Sequence, residues 1–112
     1  MTKYESKLES ENMNFLCDAI LSLETREDCY RFFEDICTIN EVKAIEQRLQ
    51  VAKRLVQKQT YTNIGEATGA STATISRVNR CLNYGSDGYA LVLKKLGIIE
   101  SEKQGNNDKG EE

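Results

Sequence analysis

Apolar residues recur along this chain at steps of three, four and seven, the spacing that lines one face of a helix. Leu8, Phe15, Leu16, Ala19, Ile20 and Leu23 form the first such stripe. Thr25-Arg26-Glu27-Asp28 then has the form of a capping box, a hydroxyl that accepts backbone N–H groups with a carboxylate three residues on. A short helix is predicted to follow, with Tyr30, Phe32, Phe33 and Ile36 as its apolar set. Thr38-Ile39-Asn40-Glu41 is a second box. From it Val42, Ile45, Leu49, Ala52 and Val56 predict the longest helix, over about 39–57. Thr60 can cap a helix over 61–68 that Gly69 stops, and Ser71 can cap another over 72–82. Asn83-Tyr84-Gly85 reads as a turn. Ser86 starts a last helix through Leu91, Val92, Leu93 and Leu96, with Gly97 as its C′ residue and Ile98 and Ile99 packing back. No stretch alternates as a strand would. The prediction is an all-α fold of six helices.

With 112 residues, 39% of them hydrophobic and 29% charged, the chain has the makings of one ordinary globular domain. Six helices in so short a chain leave little interior, so their broad amphipathic faces predict a core shared between two copies. No apolar run approaches the ~20 residues of a membrane span. The first residues, Met-Thr-Lys-Tyr-Glu-Ser-Lys, are charged and lead into no apolar stretch, so no signal peptide is read there and the expected location is the cytoplasm. Residues 100–112 contain no apolar side chain and are expected to be a disordered tail beyond a helical domain over 1–99.

The chain has no His and no Trp. Without His there is no Ser-His-Asp triad, no Cys-His pair and no His-ligated zinc. The four cysteines, Cys17, Cys29, Cys37 and Cys81, form no C-x-x-C pair, and without a secreted context they are read as reduced, mostly half-buried thiols. No nucleotide loop or carboxylate cluster nominates a catalyst. Neither an enzyme activity nor a cofactor or metal is therefore expected.

A net charge of −3 hides an uneven distribution. Residues 1–42 hold 4 basic against 10 acidic side chains. Residues 43–82 reverse this, with Lys43, Arg48, Lys53, Arg54, Lys58, Arg77 and Arg80 against Glu46 and Glu66. A basic middle in an acidic chain points to a local surface for a polyanion.

The segment 60–82 carries the chemistry. A helix-turn-helix crosses two short helices over a turn of three or four residues, often with Gly. Gly65 is small where the second helix would cross the first, and Gly69 can take a positive φ at the turn. Ile64, Ala70, Ile75 and Val78 supply the apolar set that joins the helices. The second helix then presents Thr72, Ala73, Ser76, Arg77 and Arg80 outward, flanked by Ser71 and Thr74, with Thr62 on the helix before. Short hydroxyl and methyl groups allow close approach to the major groove of double-stranded DNA, and Arg can take guanine or phosphate. Lys53, Arg54 and Lys58, at the end of the long helix, can reach phosphates that position the protein without reading sequence. The whole run Lys43, Arg48, Lys53, Arg54 and Lys58 also has a blander reading, as the solvated side of a long helix.

The string Cys37-Thr38-Ile39-Asn40-Glu41, then Arg48, Leu55 and Gly69-Ala70-Ser71-Thr72-Ala73-Thr74-Ile75-Ser76-Arg77, resembles the Trp repressor superfamily in its YerC/YecD-type branch. The resemblance spans roughly 21–98. It implies an intertwined homodimer whose two helix-turn-helix units read half-sites of a palindromic operator about one helical turn apart. Thr38, Arg48 and Arg77 match positions that hold the tryptophan corepressor in that family. Val78 departs from it, standing where the repressor has glycine, and Cys81 replaces a small polar residue near the ligand's amine. A branched side chain at position 78 would occupy the volume of the indole ring. The expectation is a repressor that works without tryptophan. Arg48 would then serve a phosphate or an ion pair within the dimer. Two alternatives stay open: a regulator with a different small-molecule effector, and a protein-interaction module whose helix-turn-helix is purely structural.

Overall fold

A computed structural model describes residues 4–99 of the chain, and the tail expected over 100–112 lies outside the described residues. The described residues form six α-helices: α1 Glu11–Leu21, α2 Arg26–Ile36, α3 Ile39–Val56, α4 Tyr61–Thr68, α5 Thr72–Tyr84 and α6 Gly88–Lys95. The described residues divide into two compact units near the start of α3, one up to Asn40 and one from Glu41 on.

In the first unit, side-chain hydroxyls set where the helices begin. Ser10 Oγ accepts from Met13 N at 3.0 Å and caps α1. The apolar stripe begins earlier, at Leu8, but Leu8 is not helical. Ser6 Oγ takes its amide at 3.0 Å, and such local bonds compete with helix formation. Thr25 Oγ1 accepts from Asp28 N at 3.0 Å, the cap read from the sequence. The reciprocal bond differs from a standard box: the Asp28 carboxylate accepts from Glu24 N, one residue before the cap. No residue of α1 or α2 is buried. Phe15 is 75% exposed and Leu21 81%, and Leu8, Tyr30 and Ile36 are exposed with them.

The second unit holds the core. Val51 and Ala52 of α3, Ile64 of α4, Ala70 of the following turn, Ile75 and Val78 of α5 and Leu93 of α6 are buried. Leu55, Val56, Leu82, Tyr89, Ile98 and Ile99 pack around them. Helix α3 ends in a Schellman arrangement: Lys58 N donates to Leu55 O, Gln59 N donates to Arg54 O, and Lys58 takes a left-handed φ of 69°. Helix α6 ends the same way, with Gly97 N on Lys94 O and Ile98 N on Leu93 O.

Two expectations at the α5–α6 connection are corrected. Asn83 and Tyr84 are helical rather than part of a turn, because Asn83 Nδ2 donates to Asn79 O at 3.0 Å and nothing there breaks the helix. The break comes at Gly85, where a Cβ would lie 2.5 Å from the Cys81 carbonyl oxygen, so only glycine fits against that last turn. Ser86 does not cap α6 either. Asp87 stands at the cap with φ 67° and makes no side-chain cap bond. Cys17, Cys29, Cys37 and Cys81 are all free; Cys17 is exposed and the others half-buried.

The two glycines of the helix-turn-helix differ in what they require. Gly69 has φ 75°, a conformation other residues adopt at a cost of about 1–2 kcal/mol. At Gly65 a methyl would sit 3.5 Å from Ala70 O, an ordinary contact, so the crossing does not demand glycine there. Gly65→Ala is expected to raise the unfolding free energy by about 0.5–1 kcal/mol through helix propensity. Gly69→Ala should lower it by roughly 1 kcal/mol or more. Urea denaturation of the two variants beside the parent measures both, and equal effects would refute the distinction.

Candidate nucleic-acid interface

The helix-turn-helix is built from both ends toward the turn. Thr60 Oγ1 accepts from Asn63 N at 3.1 Å and opens α4, and Gly69 N donates to Gly65 O as the helix closes. Three residues, Gly69, Ala70 and Ser71, link it to α5. Ser71 Oγ accepts from Thr74 N at 3.1 Å and starts the second helix. Ala70 turns its methyl into the core, and Ile75 and Val78 fix one face of α5 to it.

The opposite face of α5 is polar and open. Thr72, Ala73, Arg77 and Arg80 are exposed, and Ser76 is half-buried among them. At 100° per residue these five share one side of the helix, away from Ile75 and Val78. No carboxylate lies on α5. Among the described residues the ion pairs lie elsewhere, Arg31–Glu27 and Lys43–Glu46, so neither arginine of α5 is neutralised by a neighbour. Thr62 is exposed in the first turn of α4.

Several predicted contact residues have other uses. Ser71 Oγ, besides capping, donates to Thr74 Oγ1 at 3.2 Å, so both hydroxyls are engaged with each other. Arg54 is half-buried. Its Nη1 donates to Gln59 Oε1 at 3.2 Å, and its Nε is buried without a partner. Its guanidinium is drawn into the end of its own helix. Lys53 is half-buried, while Lys58 stands exposed just past α3.

Of the residues matched to a corepressor pocket, Thr38 precedes α3 in the first unit, and the rest lie in the second. Arg48 is exposed on α3, one turn before Val51 and Ala52 on the same face. Arg77 is exposed and Cys81 half-buried on α5. Val78 is 1% exposed and sits within the core cluster with Val51, Ala52 and Ile64. Its methyl groups are interior packing. Sequence reasoning missed Gln47 and Thr68. Gln47 Nε2 donates to Thr68 O at 3.2 Å, tying α3 to the last residue of α4. No local motif announces a bond across 21 residues. Among the described residues, no group of three or more Cys, Asp or Glu is placed to hold a metal ion.

The family model described as Trp repressor protein matches residues 11–97. The chain belongs to the Trp repressor family. Within it, the chain is YerC-like: it is 52% identical over 96 residues to the Bacillus subtilis (strain 168) protein YerC, covering 86% of this chain and 92% of that one. A crystal structure of a candidate Trp repressor from Staphylococcus aureus superposes with a TM-score of 0.79 at 52% identity, covering 83% of this chain and 93% of that one. A crystal structure of a TrpR-like protein from Eubacterium eligens ATCC 27750 gives 0.80 at 55% identity, covering 85% and 98%. The six-helix all-α architecture is thus that of solved Trp-repressor-like proteins. Membership points to a regulatory rather than an enzymatic protein. Among the described residues of this Trp repressor family chain, no helix is long and apolar enough to cross a membrane.

Proposed function

We propose that this protein is a sequence-specific DNA-binding transcriptional regulator, a repressor, acting as a homodimer on a palindromic operator without tryptophan as corepressor. Residues 1–99 serve as its DNA-binding domain, and it works in the cytoplasm on double-stranded DNA. The observation that carries the reading is the outward face of α5. It combines short side chains near the helix N-terminus with two unpaired arginines one turn on, and its reverse side is anchored in the core. In this reading Thr72, Ala73 and Ser76 approach base edges, Arg77 takes guanine or phosphate, and Arg80, Lys53 and Lys58 take phosphates. Arg54, Ser71 and Thr74 act behind that surface, holding helix ends in place.

Two further observations support the finer parts of the reading. The uncovered apolar side chains of α1 and α2 favour a second copy as their cover. Burying one such side chain contributes roughly 1.5–3 kcal/mol, and several together exceed the margin of a small domain. The buried Val78 favours an effector-free regulator. A ligand that must displace a packed valine meets an overpacking cost of ~1–3 kcal/mol, enough to weaken binding about tenfold or more.

DNA binding is tested by gel shift against a duplex library. Affinity should fall ~10³-fold or more between about 50 and about 200 mM salt if six or more phosphates are contacted across the dimer. Thr72→Ala and Ser76→Ala should change the preferred base at one or two positions, at about 1–3 kcal/mol each. Arg80→Ala should instead weaken all sequences alike. Uniform weakening by all three variants would place readout elsewhere.

For the dimer, sedimentation at micromolar concentration should show a single species of about twice 12.7 kDa, and a folded monomer would refute it.

For the effector, calorimetry with L-tryptophan should show no micromolar binding, and gel shifts should be the same with and without it. DNA binding that appears only with tryptophan would overturn this part. Val78→Gly should open space between Arg48 and Arg77, and a gain of indole affinity in that variant alone identifies Val78 as the plug.

A further inference from the structure

We infer that Gln47 and Thr68 are positioning residues that set the angle of α5 and, through it, the sequence specificity of the protein; the inference rests on the DNA-binding reading above. Thr68 is the last residue of α4. Its hydroxyl donates to Ile64 O at 2.7 Å and accepts from Ala70 N at 3.1 Å. Its own carbonyl accepts from Gln47 Nε2 at 3.2 Å. One side chain therefore links the last turn of α4 to the turn that leads into α5, and a second links that point to α3.

The need for these bonds follows from how a helix ends. The last carbonyls of an α-helix have no partner within it, and the chain leaves α4 at Gly69 in a left-handed conformation. Thr68 O is one of those carbonyls, and Gln47 satisfies it. Ala70 is 8% exposed, so little of the residue is open to water, and Thr68 Oγ1 accepts from its amide. With Gly69, Ala70 and Ser71 as the entire connection, little slack remains between the two helices. The direction of α5 is fixed where the turn starts.

Direction matters to one kind of binding more than the other. Base contacts need side chains placed within hydrogen-bond distance of particular edges, whereas contacts to phosphate follow charge and tolerate small rotations. A merely structural role would lower the folded fraction and reduce both kinds of binding together. A positioning role separates them.

The test uses the full chain and two duplexes of equal length: one enriched by the parent protein from a random library, and one scrambled. Gln47→Leu and Thr68→Val remove the bonds while nearly keeping shape. Each should weaken binding to the enriched duplex about five- to tenfold while leaving the scrambled duplex within about twofold. Thr68→Ser, which keeps the hydroxyl, should match the parent on both. Should Thr68→Val fail to fold by circular dichroism, Gln47→Leu decides alone, because it leaves the turn's own bonds intact. Equal weakening on both duplexes, or parent-like specificity in both bond-removing variants, overturns the inference while the DNA-binding reading stands. A parent chain that enriches no duplex overturns that reading, and the inference with it.

Discussion

The burial of Ile75 and Val78 against Val51, Ala52 and Ile64 is the constraint on which the second unit depends. Helix α5 has 13 residues, and its first seven include Thr72, Thr74, Ile75 and Val78, all β-branched. Such residues lose rotamer freedom in a helix, and a helix of this length is marginal alone in water. The same composition that suits close approach to another surface makes α5 a poor helix by propensity. It is helical because one face is held in the core and because the Ser71 hydroxyl satisfies one of its first-turn amides, that of Thr74. Weakening that core would dissolve the polar face on the other side.

Among the described residues, polar side chains mostly settle where helices start and stop. Ser10, Thr25, Thr60 and Ser71 each accept an amide three residues on. The ion pairs Arg31–Glu27 and Lys43–Glu46 are surface pairs one helical turn apart, and exposed pairs of this kind contribute little to stability. Much of the charge is thus left open to solvent. Arg77 and Arg80 remain open to solvent while Arg54, on the neighbouring α3, is folded into a helix end.

The element pattern was legible because each helix carries its own local instructions. The capping hydroxyls of Thr25, Thr60 and Ser71, with Gly69, placed α2, α4 and the start of α5, and apolar periodicity placed α3 to within a residue. The misplacements occur where local signals compete. Leu8 continues the apolar stripe, but Ser6 and Ser10 offer its neighbourhood better hydrogen bonds outside a helix. Asn83 looks like a turn residue, yet its amide reaches back to Asn79 and prolongs α5. At the candidate interface, the residue types of the outward face could be read by periodicity. The engagement of Arg54 with Gln59, of Ser71 with Thr74, and of Gln47 with Thr68 could not, because each depends on where a long or rotatable side chain turns once the backbone is fixed.

The uncovered apolar faces of α1 and α2 also bear on how the protein is made. Synthesis runs from the N-terminus, so these helices emerge before the residues that form the core of the second unit. In the folded chain Phe15, Leu21 and Tyr30 face water, and they emerge from the ribosome with no core of their own unit to cover them. Neighbouring chains on one messenger could meet through those faces in unproductive ways. The same stretch carries 10 acidic side chains against 4 basic ones through residue 42. Like charge of that density repels copies at a distance and opposes non-specific association. The acidity of the first 42 residues thus favours solubility during translation, while their apolar side chains are exposed.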